Sequence, residues 1–583
     1  MADVSATVCV GALVFVVLCT RPAGSGLLSG PGFGELRWAA AAAMVWLGAA
    51  VLLIPFSAAD AAGMPLVSAL ANLPGLMGAL EQPKAWGCSA LLVLIVAVGA
   101  RMSLRWQAAA LWCGIAVFAV LPPLMTAHGS SDAGHDLSLA ALVVHVPAAM
   151  IWFGLLLALL RRAGGDPAAL VRRYDRIASW CWVVLALSGL VLTAVLVPPA
   201  QLLTSPYGLT LVIKAVLAML AGVAGRFGAR RAARWVAERP GRRGPLVGLL
   251  AAEVVLLSAV IGISVGLSHL SVPDFLGRVL DTAQTVLGYD LPGPPTVLRL
   301  LGDWRPDLFF GPLAVVLAGW YVAGVRGHRG AWPRVRTATW LAGCLVLVLA
   351  TSSGIGRYAA GMFSLHQASH MLAPALLVQG APLTLRSAVP GTDLPGSAEL
   401  IHRIAGSRLV RALTHPVAVL VLFAGAPFLL YFTGLFDALV RFHWGHLLIN
   451  AVFLGIGYLF FWVVAGTDPG PRPLPGIARL GLLLAAMPAD VVFGAFLIST
   501  GRVVGNGPAS SNMYQALALP WVPGLAADQR AGGLIALVIG EAALAVVLAA
   551  LLARWSRDGG TGFAGYDRLA RSLGDLRGES RPE

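Results

Sequence analysis

Apolar residues fall in long unbroken blocks along this chain, and fifteen of those blocks reach or approach the roughly 20 residues that a helix needs to cross a bilayer. Eight cover approximately 4–20, 38–58, 85–101, 106–126, 137–160, 177–198, 207–225 and 245–269. Seven more cover 308–325, 337–354, 359–382, 415–435, 443–466, 477–499 and 532–553. The pattern predicts an all-α fold, a polytopic transmembrane bundle of about 15 spans arranged as eight plus seven. Between the two sets, 270–306 is polar and carries Pro273, Pro292, Pro294 and Pro295, which marks a domain boundary. Within it Val272, Phe275, Leu276, Val279 and Leu280 recur at helical spacing, as in a short helix lying on the outer surface. Residues 61–80 read as a re-entrant or surface element. The expected domains are 1–290, 291–556 and a cytoplasmic tail over 557–583; no internal repeat relates the halves.

Composition agrees with this reading. Of 583 residues 58% are apolar and 12% charged, with mean hydropathy +0.81, which excludes a soluble multidomain enzyme. The net charge of +14 would suit nucleic acid, but the arginines sit in short stretches between apolar blocks, above all Arg161 to Arg176 and Arg226 to Arg243. There they orient helices: most of the 41 Lys and Arg fall on the cytoplasmic side if the N-terminus is outside and the C-terminus inside. No nucleic-acid partner is expected; the partner is the lipid bilayer. The first block lacks a basic leader and is followed by Arg21, so a retained helix is expected in preference to a cleaved signal peptide. Cys9, Cys19, Cys88, Cys113, Cys181 and Cys344 are isolated, giving neither a disulfide framework nor a thiolate metal site. Without a P-loop, HExxH, nucleophile elbow or dinucleotide fingerprint, the chain is not expected to be an enzyme.

Polar groups inside the apolar blocks cost about 2.5 kcal/mol or more each, so each asks for a partner or a task. His366 and His370, four apart, would share one helical face and can chelate one metal. Counted from the outer end of their block, His366 lies about 10 Å deep and His370 a turn deeper. His443 and His446 lie at the outer mouth of another span, and Asp490 and Glu541 sit at similar depth in two more. Imidazole suits copper and zinc, and thioethers at Met362, Met371 and Met487 would favour monovalent copper. Asp490 and Glu541 would act behind the imidazoles or take the proton released on binding. The alternative for each histidine is a buried side chain hydrogen-bonded to a neighbouring helix. In the first half His145, Lys214 and Glu253 fall inside apolar blocks, and Lys214 with Glu253 reads either as a packing ion pair or as part of a path. The loop bearing His128, Asp132, His135 and Asp136 offers a weak capture site or is merely hydrophilic; His269 ends a span on the same side.

His145, Trp152-Phe-Gly154, Arg173-Tyr-Asp-Arg176, Ser188-Gly189 and Tyr207 to Lys214 resemble the CopD copper-resistance membrane domain over roughly 137–230. His366 to Met371, Ala381-Pro-Leu, His443-Trp-Gly-His446, Met487-Pro and Asp528-Gln-Arg-Ala-Gly-Gly533 running on to Glu541 are similar to the CtaG family of cytochrome c oxidase assembly proteins over 340–556. The resemblance implies a protein of the bacterial plasma membrane, with copper taken up or handled by the first half and supplied to an oxidase by the second. On this reading copper is the cargo and cytochrome c oxidase subunits are the partners. His366, His370, His443 and His446 are the expected metal ligands, with Asp490, Glu541, Met371 and Met487 around them. His145, Lys214, His128 and His135 form the expected uptake site in the first domain. The rivals are a membrane b-type haem protein moving electrons and a metal-free scaffold for oxidase assembly.

Overall fold

The computed structural model describes residues 1–20, 26–126, 134–161, 167–238, 244–267, 269–273, 281–328, 330–370, 372–380, 382, 406–468, 470, 474–507, 512–522 and 524–557. These form helices, and apart from one bridge between Leu27 and Arg105 no sheet pairing occurs among them. Thirteen of the helices are long and apolar enough to cross a membrane. The chain divides into two compact units, Met1–Gly288 and Tyr289–Glu583.

In the first unit, α1 (Ala2–Val14, continued as a wider turn over Phe15–Cys19) is followed by α2 (Gly30–Ala62), α3 (Glu81–Met102), α4 (Trp106–Ala119), α5 (His135–Arg161), α6 (Pro167–Leu196), α7 (Pro206–Glu238) and α8 (Gly244–Leu267). Small residues let α1 sit at the centre of its neighbours: a Cβ on Gly154 of α5 would collide with the backbone of Thr7 and Gly11. Backbones this close pack well where no hydrophobic drive separates protein from lipid. An ion pair from Arg161 to the fully buried Glu35, at 2.8 Å, ties the end of α5 to α2. Residues 66–79 form two short helices, as a surface or re-entrant element would.

The second unit contains α9 (Phe310–Gly327), α10 (Arg334–Ser352), α11 (Gly354–Ala359), α12 (Phe363–Ala368), α13 (Leu372–Gln379), α14 (Pro416–Phe432), α15 (Leu435–Leu439), α16 (His443–Ala465), α17 (Gly476–Ser499) and α18 (Leu525–Arg557). Here the sequence reading needs one correction. The block 359–382 is not a continuous span; it breaks after Ala359 and again after Ala368, so His370 lies beyond the end of α12. Two causes are visible. Pro374 would press on the carbonyl of His370 in a continuous helix and supplies no amide. The carboxylate of Asp528, from α18, accepts the amides of Phe363 at 2.7 Å and Ser364 at 3.4 Å as well as the Ser364 hydroxyl, and so begins a new helix there. The expected surface helix through Phe275 to Leu280, the tail beyond Arg557, and Ala381 lie outside the described residues.

Candidate metal centre

The break in 359–382 brings the two histidines together in a way a straight helix need not. His366 and His370 are 1% and 6% exposed, and their Nε2 atoms are 3.3 Å apart. Two nitrogens bound at about 2.0–2.1 Å to one tetrahedral ion stand about 3.3 Å apart. The pair therefore already has the spacing of two ligands on one metal. Tyr431, near the end of α14, puts its hydroxyl 3.1 Å from the same Nε2 of His366.

His446, in the first turn of α16, is the third imidazole. Its ring centroid is 5.6 Å from that of His366, it bonds the Val440 carbonyl, and its buried Nε2 has no hydrogen-bond partner among the described residues. A ring fixed to a carbonyl through one nitrogen and open at the other is the arrangement that metal-ligating histidines use. Aromatic rings close the rest of the pocket: Phe436 lies 5.1 Å from His366, and Phe453 stacks on His370 at 5.0 Å. Among the described residues no three His, Cys, Asp or Glu groups are gathered into a closed ion cage; the centre is a close-set pair with a third imidazole to one side. This donor set fits a soft or borderline ion such as copper, with nitrogen ligands and a largely apolar surround.

The other expected residues lie elsewhere. His443 faces Asp307 as well as His446; Asp307 precedes α9 and caps its first amides, Phe309 at 2.8 Å and Phe310 at 2.5 Å. Burial holds the Asp307 carboxyl above its ordinary range, against the downward pull of those amides and of His443. Met487 packs into the apolar cluster of Val419, Phe460 and Leu544 rather than among the imidazole contacts. Met362 lends its backbone carbonyl to the His366 amide at 3.0 Å, and Met371 lies outside the described residues. Among the described residues no hydrogen bond or ring contact joins Asp490 or Glu541 to the histidines; the Glu541 carboxyl lies within electrostatic reach of Asp490. Tyr431, Phe436 and Asp307 were missed in the sequence, since a tyrosine or phenylalanine near a helix end reads as an interfacial anchor and a lone aspartate before a helix as a cap.

The Asp528-Gln529 pair now has a physical role. Asp528 holds the start of α12, while Gln529 accepts the Val504 amide at 2.7 Å and donates to the carbonyls of Leu497 and Arg502. Gly532 lies under the Phe363 ring, and Gly533 meets the backbone of Gly494.

In the first unit His145 Nδ1 lies 2.8 Å from the Ser188 hydroxyl, and Lys214 is within electrostatic reach of it. Lys214 does not pair with Glu253, contrary to one reading of the sequence. The Glu253 carboxylate instead accepts the Trp152 indole at 3.0 Å and the Tyr174 hydroxyl at 2.5 Å, beside a cavity of about 100 Å³ that also touches Asp175, Trp182 and Arg226. His135 and Asp136 are buried at the foot of α5 against Gly288, so they are not part of an open capture loop. Ten residues, about 15 Å of helix, separate His135 from His145. His128 and Asp132 lie outside the described residues.

Residues 319–558 match the cytochrome c oxidase caa3 assembly factor family, Caa3_CtaG, and residues 168–267 match the copper resistance protein D family, CopD. The chain is 33% identical to uncharacterized proteins of Mycobacterium bovis and Mycobacterium tuberculosis, over 95% of its own length and 84% of theirs. It is 32% identical to an uncharacterized protein of Mycobacterium leprae over the same shares. No solved structure matches it.

Proposed function

The chain belongs to a family of bacterial multi-pass membrane proteins in which a copper resistance domain precedes a cytochrome c oxidase assembly domain, and from that premise we propose that its histidine centre carries the copper. A copper-related membrane role in oxidase assembly follows from the two domains together. The finer reading is that copper arrives from the outer side, is held by His366, His370 and His446, and passes to an oxidase subunit. The observation that carries it is the 3.3 Å separation of the His366 and His370 Nε2 atoms, within reach of a third, unengaged imidazole nitrogen. The residues act in simple ways. For both Nε2 atoms to bind the ion, an N–H between them must shift to Nδ1, so the two neutral imidazoles would load without releasing a proton. Tyr431 stands beside the ion, and the aromatic wall excludes water, while His443 with Asp307 is the more peripheral of the imidazoles and serves as an approach. In the first unit, His145 with Ser188 and Lys214 is the polar group to which uptake is assigned. A haem would need two imidazoles about 4 Å apart on opposite sides of its iron, with the macrocycle between them. His366 and His370 leave no such gap.

Elemental analysis of the detergent-purified protein tests this reading. The wild type should retain about one copper per chain, and replacing both His366 and His370 by alanine should abolish retention while leaving helical circular dichroism unchanged. Full retention in the double variant would refute the ligand assignment, and a wild type without metal that still co-purifies with oxidase subunits would favour the scaffold.

A further inference from the structure

A second group of ionisable side chains inside the membrane is left over from the histidine centre. α17 and α18 run antiparallel and touch at glycines: a Cβ on Gly533 would stand 2.9 Å from the Gly494 carbonyl oxygen. Asp490 lies one turn before Gly494, and Glu541 two turns after Gly533, on the same side of that crossing. Side chains on a helix lean towards its N-terminus. In an antiparallel pair this inclines Asp490 towards the level of Glu541 and Glu541 back towards Asp490, and each carboxyl is within electrostatic reach of the other. Asp490 is 5% exposed, and neither its Oδ2 nor Oε1 of Glu541 has a hydrogen-bond partner among the described residues.

Among the described residues no cation is paired with either carboxyl. The neighbouring helices α12, α13, α14 and α16 carry no Lys, Arg, Asp or Glu; their titratable side chains are His366, Tyr431, His443, His446 and Tyr458. On α17 and α18 themselves, Arg479, Asp528, Arg530 and Arg554 lie eleven or more residues from the nearer carboxyl, about 16 Å of helix. Two ionised carboxylates in such surroundings repel each other and lack hydrogen bonds, whereas one proton removes a charge and supplies a donor.

We propose that Asp490 and Glu541 form a carboxyl pair that holds one proton in the membrane interior, separate from the histidine centre. The assignment does not depend on copper binding. It gives the second unit a proton-accepting group between two long helices whose mutual packing rests on glycine contacts.

Dicyclohexylcarbodiimide is the probe, used on the full chain in native membrane vesicles. A protonated carboxyl adds across one C=N bond of the reagent: an oxygen–carbon bond forms, the proton passes to nitrogen, and nothing leaves. A carboxylate without its proton does not react. Peptide mass spectrometry should find one adduct per chain, on Asp490 or Glu541, falling severalfold as the pH is raised from mildly acidic to mildly alkaline. Sodium chloride should not protect, and labelling should persist in the His366→Ala, His370→Ala variant. In Asp490→Asn the remaining glutamate loses its like-charged neighbour, so its labelling should shift to lower pH; Glu541→Gln should do the same for Asp490. Absence of any adduct in the wild type, labelling indifferent to pH, or protection by sodium would overturn the proposal.

Discussion

The chemistry of the candidate centre rests on which atom of each side chain is already engaged. His366 and His370 present the same nitrogen to each other, and Tyr431 reaches that of His366. Removing the hydroxyl alone, in Tyr431→Phe, deletes one buried hydrogen bond and no imidazole. That bond engages the same Nε2 that would bind the ion and is given up on loading; at about 0.5–1.5 kcal/mol, its removal should leave copper affinity unchanged or raise it up to roughly tenfold, unlike loss of a ligand. Competition with a chelator of known affinity measures the difference, and a loss as large as that of the double histidine variant would make Tyr431 itself a ligand. The two histidines were legible from their spacing and from the cost of placing them in lipid. Tyr431 was not, because its meaning comes from the turn through Gly434 that folds α14 and α15 over His366, and no local pattern records that. Met487 shows the opposite case: its residue type suits copper, but its helix turns it into the apolar core.

Among the helices, the broken segment α11–α13 carries the argument. Apolar blocks reveal where helices lie and not where they stop, so 359–382 read as one span; Pro374 was the available signal, and the cap supplied by Asp528 from far along the chain was beyond local reading. Asp528→Ala leaves the amides of Phe363 and Ser364 without their acceptor. With hydrogen bonds to a charged group worth about 1.5–3 kcal/mol each, the variant should lose about 3–6 kcal/mol of local stability and copper retention with it, although no ligand has changed. Thermal unfolding in detergent together with elemental analysis checks both, and unchanged retention would mean that α12 holds its position without the cap. Similarly, Gly154→Leu should prevent α1 from seating against α5, which would be seen as loss of folded protein on size-exclusion chromatography.

Over the whole molecule, the chain divides into the units Met1–Gly288 and Tyr289–Glu583, and thirteen membrane-competent helices account for all but two of the apolar blocks. The remaining two are the broken segment and the shorter helix Pro416–Phe432. If both complete a crossing, the termini lie on opposite sides. A periplasmic reporter should then be active when fused at the N-terminus, and a fluorescent protein that folds only in the cytoplasm should be bright at the C-terminus; the reverse result would invert the orientation drawn from arginine placement. One more consequence concerns time. The residue that fixes Phe363 and Ser364, and with them the setting of His366, lies 165 positions further along the chain. At about 5–20 residues per second, a ribosome reaches it roughly ten to thirty seconds later. On the proposed reading the nascent polypeptide would not set His366 before Asp528 is made, so loading should follow rather than accompany the threading of that segment into the bilayer.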